Sequence, residues 1–273
     1  MATLAVLVWT VGAQGAASAQ DVRPLAYRVH SSAPTSSYGA EVILQSDRAR
    51  ITYDDSEERA VTARQMQGEF ELWLDGGARR LAVDRMAQTY YDRAHYREPP
   101  VKTATLGVFR PPQPATVESV SDMRVNVRTD PKRIDAAGLS CVHVVLEVSY
   151  RLNLALLGTR FPATVQATAA YDVTDSLPVA RLPYDHGTVS LVTGEDTVDR
   201  AIAERLAATA SAAGISVKTV IQARRQIESS PATEETLKIT LENFREVKVP
   251  PGTFDLPAGL RFQEPVMVGP ARK

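Results

Sequence analysis

A period-two alternation between Gly68 and Tyr91 limits this chain, more than any other feature, to a β-sheet fold. Along its first half, Phe70, Leu72 and Leu74 occupy every second position. They alternate with Glu69, Glu71 and Trp73. This pattern predicts a strand with one face to be buried. Gly76 and Gly77 then allow the positive φ of a hairpin turn, and the alternation resumes at Leu81 and Val83. The segment is therefore an amphipathic hairpin, and the rest of the chain must cover its apolar face.

The same alternation recurs along most of the chain and predicts about ten strands. The clearest segments are 25–30, 41–45, 48–53, 123–128, 141–150, 165–173, 215–221 and 237–241. We expect Asp130-Pro131 to end one strand, and Arg151 to Phe161 is either a strand extension or an exposed apolar loop. Successive hairpins with one apolar face each are typical of a curled sheet. The predicted fold is mainly β with one helix (α+β), in a single domain from 20 to 273 built as an antiparallel curled sheet or barrel.

Two segments are expected to cover this sheet. A helix is predicted over 197–213, because Val198, Ile202, Leu206 and Ala210 form one narrow apolar stripe. Thr197 could cap its first turn, and Gly214 stands where a C-terminal glycine belongs. The other segment is a proline-rich loop over 99–115, whose apolar centre is either a lid or a connection laid over the core.

The first residues predict export. Met1 to Ala19 contains a short apolar run and ends in Ala17-Ser18-Ala19, the small-x-small form of a signal-peptidase site. We expect residues 1–19 to be a signal peptide cleaved before Gln20, and the mature protein to be exported. An N-terminal anchor is the alternative. No segment is apolar for the roughly 20 residues that a transmembrane helix needs.

Composition excludes one class of partner and leaves the chemistry open. The chain has 273 residues and a formal net charge of −1, which argues against nucleic-acid binding because that requires a clustered basic surface. Cys141 is the single cysteine, so no intramolecular disulfide can form. It lies in a strand-like run, which predicts a buried, unreactive thiol.

No pattern in the sequence indicates a metal, a cofactor or a catalytic centre. The four histidines, His30, His95, His143 and His186, lack partners at metal-ligand spacing. We therefore expect no cofactor, no metal and no enzymatic activity. A hydrolase with an unrecognised pair of carboxylates is the remaining enzymatic hypothesis, and it predicts close acidic residues in a cleft.

Four phrases in order give the chain a resemblance to a known superfamily. They are Glu71 to Tyr91 (the central hairpin), Gly138-Leu139-x-Cys141, Ala170 to Pro178, and Val249 to Leu260. Together they resemble the LolA-like superfamily of periplasmic proteins, and most closely its members of unknown function. The resemblance implies a periplasmic, unclosed, strongly curved antiparallel β-barrel of LolA/LolB type (a half-barrel), whose apolar face is covered by helices or loops and holds lipids or lipoproteins. Carriers of this superfamily begin with a helix before the first strand, whereas this mature chain begins almost directly with a strand. For this reason no functional residue is carried over.

Function is expected to lie in the groove of the half-barrel. The main hypothesis is a non-enzymatic protein that binds a hydrophobic ligand, either a lipid or the acyl chain of a lipoprotein. The alternative is a cell-envelope interaction or scaffold module, whose groove is filled by its own side chains and which binds an envelope protein. The expected lining residues are Phe70, Leu72, Leu74, Leu81, Val83, Val125, Val127, Val144, Leu146 and Val148.

Overall fold

A computed structural model describes residues 23–34, 36–54, 68–93, 104–179, 181–183, 187–228 and 230–264. The expected signal peptide, His95, His186 and the first part of the proline-rich loop lie outside these residues. The strands are β1 (Leu25–Ala33), β2 (Ser36–Gln45), β3 (Arg48–Tyr53), β4 (Phe70–Leu74), β5 (Arg79–Asp84), β6 (Thr89–Asp92), β7 (Thr116–Ala136), β8 (Leu139–Leu156), β9 (Thr159–Thr174), β10 (Ile215–Ile227), β11 (Thr233–Glu246) and β12 (Arg261–Phe262). Within the described residues there is one α-helix, α1 (Asp196–Ala207).

All twelve strands belong to one unclosed, curved sheet. Its order is β12-β6-β5-β4-β3-β2-β1-β11-β10-β9-β8-β7. Two antiparallel meanders, β1–β6 and β7–β11, therefore meet where β1 pairs with β11. Among the pairings of the strands named above, the short one of β12 with β6 is parallel and the others are antiparallel. The expected fold class, mainly β with one helix and an unclosed sheet, is confirmed.

The amphipathic hairpin predicted between Gly68 and Tyr91 is also confirmed. In β4 and β5, Phe70 lies opposite Val83 and Leu72 opposite Leu81. The turn between them is a short 3₁₀ segment with positive φ at Gly76 and Gly77. A Cβ on Gly77 would lie 2.3 Å from the indole nitrogen of Trp73, so this glycine is also required by close packing.

Two strand boundaries differ from the sequence predictions. β7 does not end at Asp130-Pro131 but continues to Ala136, with a shift of register between Asp130 and Ile134. Proline is tolerated there because β7 is the edge of the sheet and its outer amides need no ladder partner. β8 extends to Leu156, so the apolar stretch after Tyr150 is strand rather than loop.

The helix also differs from its prediction at both ends, and it begins at Asp196 rather than Thr197. It stops at Ala207 rather than Ala213, and a separate 3₁₀ turn follows at Ala210–Ala212. This part of the sequence offers mainly alanine, so little apolar burial is available to prolong the helix. Gly214 does not cap α1. It lies against β9, where a Cβ would come within 2.4 Å of the carbonyl oxygen of Thr174.

Candidate functional site

The ten residues expected to line one groove lie on two opposite faces of the sheet. Directly opposed residues share a face, which allows the face of Phe70 to be followed across the strands. From Phe70, the directly opposed residues on successive strands are Thr52, Glu41, Arg28 and Glu242. Thr240 lies two residues from Glu242 on β11 and so shares its face, and the residues opposed from there are Lys218, Asp172 and His143. Val144 follows His143 and so points to the other side. We call the side of Val144 the helix face and the side of Phe70 the opposite face.

The sheet brings the expected residues together in two separate sets of five. Phe70, Leu72, Leu74, Leu81 and Val83 pack on the opposite face with Tyr90, Leu256 and Leu260. The C-terminal segment therefore covers this patch, and β12 fixes it by pairing with β6. Val125, Val127, Val144, Leu146 and Val148 lie on the helix face in a much larger core. A single groove lined by all ten is not formed, because β4 and β5 present their large apolar side chains to the other side of the sheet.

The core of the helix face is filled by the chain's own side chains. The described part of the proline-rich loop inserts Val108 and Phe109, both 0% exposed, into the same core that contains Val144 and Leu146. Glu235 accepts a hydrogen bond from the Val108 amide at 2.9 Å, and Arg225 donates to the Val108 carbonyl at 3.0 Å. Of the two interpretations left open by the sequence, a connection laid over the core describes this segment.

An open cleft remains beside this core, between α1 and the segment 189–192. It has a volume of about 710 Å³ and is lined by Val189, Ser190, Leu191, Val192, Asp196, Asp199, Arg200, Ile202, Ala203 and Leu206. Six of these side chains are apolar, and the charged ones belong to the first two turns of α1. A volume of several hundred Å³ with mainly apolar walls and a few polar groups is typical of small-molecule sites. This cleft is the candidate functional site.

Both walls of the cleft are fixed by hydrogen bonds. On the strand side, the Tyr171 hydroxyl donates to the Ser190 carbonyl at 2.8 Å, and the Val192 amide donates to Thr105 at 2.9 Å. The Thr105 amide donates in return to the Val192 carbonyl at 2.7 Å. The segment 189–192 is thus held to the sheet and to the loop, which makes it a rigid wall.

The helix wall is fixed by Asp199, not by Thr197 as the sequence suggested. One carboxylate oxygen of Asp199 accepts bonds from the amide and the hydroxyl of Thr193, at 2.7 and 2.8 Å. The other accepts from the Gly194 amide at 3.2 Å. Thr197 lies inside the first turn, and no side chain caps the helix at Glu195. Val198 and Ile202 then anchor α1 in the core.

Acidic residues cluster at this end of the cleft, as a carboxylate hydrolase would require. Burial, together with Asp199 and Asp196, raises the pKa of Glu195 above its ordinary value. However, the Asp199 carboxylate is occupied by Thr193 and Gly194. Carboxylates in the first turn also interact favourably with the positive end of a helix. These bonds give Asp199 a structural role at the start of α1.

The remaining candidates for chemistry are placed as follows. Cys141 is fully buried and its thiol donates to the Leu139 carbonyl at 3.4 Å. The predicted burial is confirmed, and burial raises the pKa of this thiol, which favours its protonated form. His143 contacts Asp172 at 2.7 Å and His30 contacts Glu242 at 3.1 Å, both on the opposite face. Among the described residues, no three His, Cys, Asp or Glu side chains come close enough to share a metal ion.

A second concavity crosses β7 to β11 on the opposite face. Its volume is about 580 Å³, and its side chains are mainly polar, among them Arg124, Asn126, Glu147, Gln166, Thr168, Gln222, Arg224 and Glu234. Several of these are already paired with one another, as in the bond of Asn126 to Glu147 and the ion pair of Arg224 with Glu234. This surface does not suit an apolar ligand.

Sequence reasoning missed the strand-side wall of the cleft. Val189, Leu191 and Val192 lie in a segment without regular secondary structure, so no periodicity marks them. The available signal was a short apolar run between Gly187 and Gly194. The stripe of α1 was seen, since Val198 and Ile202 are buried and Leu206 is half-buried, but Ala210 lies beyond the helix.

The part of the chain that the structure describes contains no helix with the length and apolar character needed to cross a bilayer. In comparisons with known proteins, no protein-family model matches the chain and no curated protein matches it significantly.

Proposed function

We propose that this protein is a non-enzymatic binding protein of the bacterial periplasm that holds a hydrophobic ligand, a lipid or a lipoprotein acyl chain, in the cleft between α1 and residues 189–192. The observation that carries the proposal is the cleft itself, an open space of about 710 Å³ with mainly apolar walls beside a filled core. An acyl chain gains free energy by leaving water for such walls, about 0.8 kcal/mol for each buried CH₂. The charged residues at the start of α1 stand where a polar headgroup would remain near solvent.

The proposal includes a distant relationship to the LolA-like superfamily. It is supported by the unclosed sheet with one covering helix, together with the ordered phrases between Glu71 and Leu260. Export by the signal peptide over residues 1–19 is part of the same proposal. Fold alone does not establish a ligand, so the cleft and not the superfamily carries the functional argument.

A titration of the delipidated protein with a fluorescent fatty acid tests the cleft directly. Ala203 is an exposed residue of α1 that lines the cleft, whereas Ala207, one turn later on the same helix, is exposed and does not line it. Ala203→Trp should fill the cleft and weaken binding at least tenfold. Ala207→Trp is the matched control and should bind as the wild type does. Equal binding by all three proteins, or no saturable binding by the wild type, would contradict the proposal.

A second function has one observation in its favour. The helix-face core is packed with the chain's own side chains, as expected for an interaction or scaffold module of the cell envelope. Such a module would not bind the fatty acid. In a pull-down, the wild type and Ala203→Trp would retain an envelope protein equally well. The pair of measurements therefore separates the two functions.

A further inference from the structure

The strand β7 is a long free edge of the sheet. It pairs with β8 on one side, and no described strand pairs with its other side. The strand at the other edge of the sheet, β12, is only two residues long, whereas β7 runs for 21 residues. A free edge of this length exposes a row of unpaired amides and carbonyls that can pair with another strand.

Most of this edge is irregular, but its centre is not. The register with β8 shifts between Val117 and Ser119, between Ser121 and Arg124, and between Asp130 and Ile134. Bulges of this kind, together with Pro131, are devices by which proteins prevent edge-to-edge pairing. The stretch from Arg124 to Asp130 lacks them and pairs with β8 in one uninterrupted register. Seven residues are thus left as flat, regular edge strand.

We propose that this stretch pairs antiparallel with the same stretch of a second copy of the chain, about a twofold axis at Val127. Every second residue of the strand has its amide pointing outward, and in an antiparallel pair these residues oppose each other. One chain can therefore shift against the other only in steps of two residues, and each step moves the twofold axis by one residue. The register centred on Val127 uses all seven residues. It places Arg124 opposite Asp130 at both ends, Val125 opposite Thr129, Asn126 opposite Arg128, and Val127 opposite itself.

Charge selects this register over its neighbours. Opposite charges on directly opposed residues stabilise strand pairing, and like charges destabilise it. A register centred on Asn126 would place Arg124 opposite Arg128, and one centred on Arg128 would place that residue opposite itself. Only the register centred on Val127 avoids opposed like charges and also uses the whole regular stretch.

The side chains that the pairing needs are available. Arg124 and Asp130 are exposed, and neither forms an ion pair with another described residue. One Asp130 oxygen accepts a bond from the Lys132 amide, which lies on the same strand. Arg128 is already paired with Glu147 and so contributes little to the new contact. Val125 and Val127 are half-buried against the helix-face core, and a second copy would cover their exposed parts.

A contact of seven residues per chain is small. Stable interfaces bury about 1,200 to 2,000 Å² in total, so we expect a weak dimer that forms at micromolar or higher concentration. The inference goes beyond the proposed ligand site. Although α1 packs against β7, the tests of the inference leave that site unaltered, because Arg124, Val127, Thr129 and Asp130 do not line the cleft.

Sedimentation velocity over a range of protein concentrations tests the pairing through a charge exchange. Arg124→Asp and Asp130→Arg each place like charges opposite one another at both ends, and each should weaken the dimer at least tenfold. The double variant exchanges the two charges and should restore it. Arg79→Asp, at an exposed site on β5, is the matched control and should dimerise like the wild type. A wild type that stays monomeric throughout, or a double variant no better than the singles, overturns the inference.

A cysteine placed at the axis tests the register. Val127→Cys should form a disulfide-linked dimer under mild oxidation, because directly opposed residues bring their Cα atoms within bonding range. Thr129→Cys lies on the same strand and face but opposite Val125, so it should link poorly. Equal linking by both variants would exclude the register centred on Val127.

Discussion

At the scale of the residue, Glu71 is the least expected feature of the molecule. The alternation along β4 predicts one buried face, with Glu71 on the side facing solvent. The structure buries both faces, and Phe70, Glu71, Leu72 and Trp73 are each at most 4% exposed. One carboxylate oxygen of Glu71 accepts bonds from the Tyr53 hydroxyl, at 3.1 Å, and from Arg93. The other has no hydrogen-bond partner among the residues that the structure describes, so the Arg93 contact compensates only part of the loss of water.

This arrangement determines how the stability should depend on pH. Burial raises the pKa of Glu71 above its ordinary value of 4.5, against the opposing effect of Arg93. The folded state therefore binds a proton more readily than the unfolded state, and its stability falls as pH rises through the folded pKa. The free energy of unfolding, measured with urea from pH 4 upward, should fall with pH more steeply for the wild type than for Glu71→Gln. Glu204→Gln, at an exposed site on α1, should behave as the wild type does, and parallel curves for all three proteins would contradict the argument.

At the scale of the element, the positions of the strands could be predicted from the sequence, but which of their faces lie on the same side of the sheet could not. Alternation is a local property, so it located the β4–β5 hairpin and the long strand β8 correctly. Which face of β4 meets which face of β8 depends on the pairing of β1 with β11, more than 200 residues apart in sequence, and no local pattern encodes it. For the same reason the residues expected to line one groove separated into two sets.

Helix α1 shows the same limit on a smaller scale. Its apolar stripe predicted Val198 and Ile202 as buried, and they are. The residue that holds its start is Asp199, which bonds backward to Thr193 and Gly194. A capping residue is usually sought before the first turn, and an aspartate within the first two turns is easily taken as a solvent-exposed helix residue. Only the path of the segment before α1 reveals its role.

Removing these bonds should destabilise the protein measurably. Asp199→Ala leaves the buried Thr193 amide without its acceptor, and an unsatisfied buried group costs about 1 to 3 kcal/mol. We expect a loss of that size in the free energy of unfolding from urea titrations at neutral pH. Glu204→Ala, on the exposed side of the same helix, should change it by less than about 0.5 kcal/mol. A change equally small for Asp199→Ala would show that the bonds to Thr193 and Gly194 do not fix the start of α1.

At the scale of the whole molecule, one sheet carries two apolar surfaces on its two sides. The C-terminal segment covers the patch of β4 and β5, while α1 and the loop around Phe109 cover the core of β8 to β10. The two meanders pair through β1 and β11, and no described strand pairs with the outer side of β7, which is therefore a long free edge. Within this framework the cleft beside α1 is the apolar space that the covering elements leave open.

Native mass spectrometry with lipid extraction, on protein isolated from a bacterial periplasm, measures whether the cleft holds a lipid. The proposed function predicts a bound lipid or fatty acid at a fixed ratio of one per chain for the wild type and for Ala207→Trp, and its loss from Ala203→Trp. A mass equal to that of the bare chain for all three proteins, unchanged when lipids are added, would contradict it and favour the interaction module.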